Sequence, residues 1–186
     1  MCPLLLIQIV TAETVINYVS QARLRNPDSK NLYLYEIRYL LDLKQSQEAW
    51  ELLLKAHKHF NDDAEITLLA ALVSLDIEKY DNADQLLNML AKTPAYLNQA
   101  YYYLGISAER QQKFEQAKTY LNGVMQEDLV LEARRKVVAF ELLNNNTKAA
   151  MSVLEKLRKD FEVFAPDTFV MQADILWQQN KPDEAL

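Results

Sequence analysis

The 186-residue sequence has one cysteine, Cys2, and two histidines, His57 and His59. A single cysteine excludes an internal disulfide framework and a cysteine-based zinc site. It is compatible with either cytoplasm or a bacterial periplasm, and the compartment stays open. His57 and His59 stand two apart, so on a helix they point to different faces and cannot share a metal; both read as surface residues. Glycine occurs twice and proline five times. So few breakers argue for helices joined by tight turns, because a strand-rich fold needs turn glycines. The apolar stretch Pro3 to Val10 is too short to span a bilayer and lacks the basic leader and cleavage site of a signal peptide. It reads as the stump of a cut helix, and Met1-Cys2 lacks the apolar segment that precedes a lipoprotein cysteine. There is no glycine-rich phosphate loop, no H-E-x-x-H and no G-x-S-x-G, so no enzyme class or cofactor is indicated.

Positive charge is also short. The net charge is −6, with 26 acidic against 20 basic residues. A general nucleic-acid binder needs a basic face, and that class is set aside. The one basic cluster, Arg134-Arg135-Lys136, reads as a solvated helix turn. Asp62-Asp63 and Glu127-Asp128 read as turn residues at helix ends. Hydrophobic residues make up 50% of the chain and charged residues 25%, a composition that folds.

What the chain does have is a period. Alanines recur at Ala49, Ala83, Ala117, Ala150 and Ala185, with steps 83−49=34, 117−83=34, 150−117=33 and 185−150=35. Four residues after the first four stand Leu53, Leu87, Leu121 and Leu154; three further on stand Ala56, Leu90, Val124 and Leu157. The i, i+4, i+7 spacing makes one apolar helix face. Between residues 96 and 130, Tyr101, Leu104 and Gly105 precede Ala117 and Leu121, with a polar tip at Gln112-Lys113-Phe114.

This skeleton resembles the tetratricopeptide repeat, whose period is about 34 residues. The resemblance implies an all-α fold, a right-handed α-solenoid of helix-turn-helix repeats in which each pair buries its face only against its neighbours. The expected organisation is a single array over residues 1–186. It has a partial repeat at 11–29, repeats at about 30–63, 64–97, 98–130 and 131–164, and a truncated repeat at 165–186, as in a window from a longer array. Helices are expected near 31–44, 47–60, 64–78 and 80–92, with Thr11 capping an earlier one, Asn26-Pro27-Asp28 ending it, Asn144-Asn145-Asn146 as a turn and Pro182 opening a last helix. The small residue of the first helix is Ala71, Gly105 and Ala173 but Ile37 and Val138 in two repeats, where packing should alter.

In the family, first helices line a concave groove. The resemblance implies groove candidates Leu34, Arg38, Leu68, Leu72, Tyr102, Ile106, Glu109, Arg135, Val170, Asp174 and Trp177. A competing reading packs these side chains inside the array. Of Tyr101, Tyr102 and Tyr103, one should be core and one should face the groove. The lysine-asparagine clamp for acidic chaperone tails is missing from the matching faces. The implied function is a non-enzymatic scaffold or adaptor that binds a polypeptide. Alternatives are the docking arm of a larger enzyme or a bacterial envelope lipoprotein adaptor that presents partners to a protease or assembly machine. The expected partner is a protein or peptide, with no nucleic acid and no membrane insertion; Arg38 and Arg135 are expected to meet acidic groups on it. Self-association through the C-terminal end is also expected.

Overall fold

A computed structural model describes residues 12–60 and 63–179. Cys2, Pro3 to Val10, Thr11, Asp62, Pro182, Ala185 and the C-terminal end, each given a role above, lie outside the described residues. Within them the chain is helical throughout, with no strand. The helices are α1 (Ala12–Arg25), α2 (Lys30–Asp42), α3 (Ser46–His59), α4 (Ala64–Asp76), α5 (Tyr80–Leu90), α6 (Leu97–Arg110), α7 (Phe114–Asn122), α8 (Glu127–Leu143), α9 (Thr147–Asp160) and α10 (Ala165–Gln178). Short 3-10 turns at Pro94–Tyr96 and Glu162–Phe164 lead into α6 and α10. The four helices expected from the period appear within about two residues of their expected ends, as is usual for helix boundaries.

Two compact units divide the chain, one up to Leu86 and one from Leu87, so that α5 crosses the division. In the first, α1 packs on α2, α2 on α3 and α3 on α4; in the second, α6 to α10 pack in succession, and α6 also meets α8. The periodic residues form the core. Ala49, Ala83, Ala117 and Ala150 are wholly buried, as are Leu53, Leu87, Leu121 and Leu154. Ile37 and Val138, the bulky exceptions, are buried too, Val138 beside Ala150, Leu154 and Ile175.

Local chemistry sets the helix ends. Asp63 caps α4 by accepting from the backbone N–H groups of Glu65 and Ile66, both at 3.1 Å, and Asn146 caps α9 by accepting from Ala149 at 3.3 Å. Such side chains satisfy donors that the helix itself leaves free. The four turns between paired helices share one geometry. Lys44, Glu78, Gln112 and Asn145 adopt φ of 59°, 59°, 60° and 58°. Each stands five residues before a buried alanine. In each turn the next residue's N–H returns 2.8 Å to a helix carbonyl, as Gln45 does to Leu40, Lys79 to Ser74, Lys113 to Ala108 and Asn146 to Glu141. This is the Schellman-type close of a helix, here built without glycine.

The basic cluster departs from its sequence reading. Arg134 is buried, and burial pushes its guanidinium below the ordinary arginine range. Its Nη1 donates to the Leu121 carbonyl, and its Nη2 donates to those of Asn122 and Val124, each at 3.0 Å. A cation here donates to carbonyls at and just after the end of α7 and meets the negative end of its dipole. A residue that looked solvated is a helix cap from the next helix.

Candidate functional site

The first helices of the helix pairs carry the residues of interest, and they fall in both units. In the first unit, α2 and α4 supply four. Leu34 is buried and offers little surface, while Arg38 is exposed with its Nη2 3.8 Å from Glu65 Oε1. Leu68 and Leu72 are half-buried. Lys30 reaches from the start of α2 to Asp63 at 3.0 Å and Glu65 at 2.9 Å, and those two partners raise its pKa.

In the second unit, α6, α8 and α10 are joined by charged pairs. Lys136 Nζ on α8 lies 2.9 Å from Glu109 Oε2 on α6. Arg135 Nη2, also on α8, lies 3.3 Å from Asp167 Oδ1 on α10, and its Nη1 lies 3.9 Å from Glu132 Oε2. Tyr102 on α6 is half-buried and packs against a core cluster that includes Val137 and Phe140. Burial first, and then the negative charge of Glu132, raise its phenol pKa, while Lys136 opposes them. None of the three adjacent tyrosines is fully buried: Tyr101 lies over Gly123, and Tyr102 meets Tyr103 edge-on with ring centres 5.3 Å apart. Ile106 is half-buried, Asp174 is exposed, and Val170 and Trp177 are exposed by 63% and 71%.

Two open clefts flank Arg135. One, of 620 Å³, is lined by Leu131 and Phe164 with Gln126, Glu127, Asp128 and Glu132. The other, of 440 Å³, is lined by Val170 and Met171 with Asp167 and Asp174. Sequence reasoning placed Arg135, Val170 and Asp174 here but missed Leu131, Glu132, Phe164 and Asp167. Asp167 stands 32 residues after Arg135, close to one period, which is the signal that could have found it.

Thr67 Oγ1 lies 3.1 Å from His57 Nδ1, and His59 packs with Tyr33 and Phe60. Among the described residues no group of three metal-ligating side chains forms, and no helix is long and apolar enough to cross a membrane.

The architecture is an all-α solenoid of tetratricopeptide-type helix pairs, and solved structures share it. A crystal structure of MamA matches with a TM-score of 0.69 at 15% identity, covering 83% of this chain and 91% of that one. A MamA structure from Desulfovibrio magneticus RS-1 gives 0.66 at 16% identity, covering 82% and 86%. A tetratricopeptide repeat protein from Parabacteroides merdae gives 0.66 at 15%, covering 94% and 69%. At such identities the likeness is one of fold. No protein-family model matches the sequence, and no curated protein matches it.

Proposed function

We propose that this chain is a non-enzymatic scaffold whose first-helix faces bind a polypeptide segment, with residues 1–186 acting as one repeat array. The observation that carries the reading is the side-by-side arrangement of α6, α8 and α10. These helices carry the Lys136–Glu109 and Arg135–Asp167 pairs, exposed Val170 and Trp177, and two clefts at Arg135 lined by apolar and acidic residues. Large aromatic and aliphatic groups beside a polar rim are what peptide-binding surfaces use as anchors. The preformed helices keep the ordering cost on the scaffold low.

Site-specific photo-crosslinking tests this. A photoreactive residue in place of Ile106, on the proposed face, should give adducts in cell extract. The same residue in place of Lys156, exposed on α9, should give none. Adducts from position 156 alone would place the binding surface elsewhere.

A further inference from the structure

We infer that the α8–α10 face takes a basic, partly apolar polypeptide, a refinement that rests on the scaffold reading. The two clefts beside Arg135 are lined by apolar residues and carboxylates together. Their linings hold Glu127, Asp128, Glu132, Asp167 and Asp174 against the single cation Arg135, so five negative charges minus one positive leave −4. Arg135 is itself engaged from both sides, by Asp167 at 3.3 Å and Glu132 at 3.9 Å. Lys136, next in sequence, is held by Glu109 at 2.9 Å. An acidic ligand would therefore have to displace an internal carboxylate from Arg135 while facing the others.

Helix dipoles account for part of this charge. Glu127 and Asp128 lie in the first turn of α8 and Asp167 in that of α10, where a carboxylate complements the helix N-terminus. Glu132 and Asp174 lie inside their helices, beyond the reach of that effect. Both stand at the clefts, beside Leu131 and Val170 respectively. Charge complementarity across an interface steers encounter and rejects wrong partners. The fitting occupant pairs lysine or arginine with these carboxylates and packs an aliphatic or aromatic side chain against Leu131, Phe164, Val170 or Met171. The expectation that Arg135 meets acidic groups on the partner gives way to the opposite polarity.

The test uses the full chain and three short fluorescent peptides, alternating lysine with leucine, glutamate with leucine, and lysine with serine. The lysine-leucine peptide should bind, the glutamate-leucine peptide should not, and the lysine-serine peptide should bind more weakly. Glu132→Gln combined with Asp174→Asn should weaken the lysine-leucine peptide by about tenfold. Glu155→Gln, an exposed carboxylate on α9, should leave it unchanged. Preference for the acidic peptide, no binding of the basic one, or an equal loss with Glu155→Gln would overturn the inference. The crosslinking experiment separates the two readings. An acidic partner segment captured from position 106 ends this inference and keeps the scaffold, whereas adducts from position 156 alone end both.

Discussion

Gly105 on α6 faces Leu121 on α7 with no space for a side chain between them: a Cβ on Gly105 would lie 2.6 Å from Leu121 Cγ and 2.7 Å from Cδ2. Leu121 is wholly buried, so it has little room to yield. In an open helix, alanine for glycine gains about 1 kcal/mol. Here overpacking, which costs about 1–3 kcal/mol, opposes that gain. Gly105→Ala is expected to lower stability in urea unfolding. Leu121→Ala in the same chain should cost less than the sum of the two single changes, because it clears the space the new methyl needs.

Arg134→Met is expected to destabilise by about 2 kcal/mol, since it takes the guanidinium donors from the part-buried Asn122 carbonyl and the buried Val124 carbonyl. Arg134→Lys should recover only part of the loss, because an ammonium lacks the fork that spans several acceptors. Thermal melts of the two variants check this. Equal melting temperatures for Met and wild type would show that the cap contributes nothing.

Residues in the left-handed region favour glycine or asparagine. Lys44→Asn and Gln112→Asn should each raise stability, by up to about 1 kcal/mol. Asn145→Ala, at the same place in another turn, should lower it. Chemical denaturation of the three variants gives the comparison, and the signs alone decide it.

Asp63 carries a pH dependence. Burial pushes its carboxyl up, but hydrogen bonds from Lys30 and from the Ile66 and Glu65 N–H groups outweigh burial and hold it below its ordinary value of 3.8. A depressed carboxylate contributes stability that is present above its unfolded pKa and lost as pH falls through its folded one. The wild type should therefore lose part of its stability below about pH 4. Asp63→Ala should cost about 1 kcal/mol at neutral pH, the usual value of such a cap. It should also flatten the acid limb of a stability–pH curve.

The alanine period was legible in the sequence because the meeting of two helices admits only a small side chain, and Ala49, Ala83, Ala117 and Ala150 are all wholly buried. The left-handed turns were not legible. Their φ is positive, yet three of the four residues are Lys44, Glu78 and Gln112, which carry no conformational signature. Arg134 was misread for a related reason: its partners are backbone carbonyls, which every sequence has and no pattern reveals. At the candidate site, helical spacing identified Tyr102, Ile106, Arg135 and Trp177 as residues of the first helices. It could not fix helix rotation closely enough to see that Leu34 is buried or that Arg135 is flanked by two carboxylates. Those outcomes depend on how neighbouring helices meet.

The four like turns also bear on how such a chain lengthens or shortens. Each crossing is set by backbone bonds and one left-handed residue, so the joints are interchangeable. Cutting after Lys44 and rejoining at Lys79 removes 78−44=34 residues, one full period, and brings Lys79 to the place of Gln45, where its N–H meets the Leu40 carbonyl that Gln45 now occupies. Duplication follows the same path in reverse. Recombination at these points preserves helical phase, so whole helix pairs can be gained or lost without any new turn having to arise.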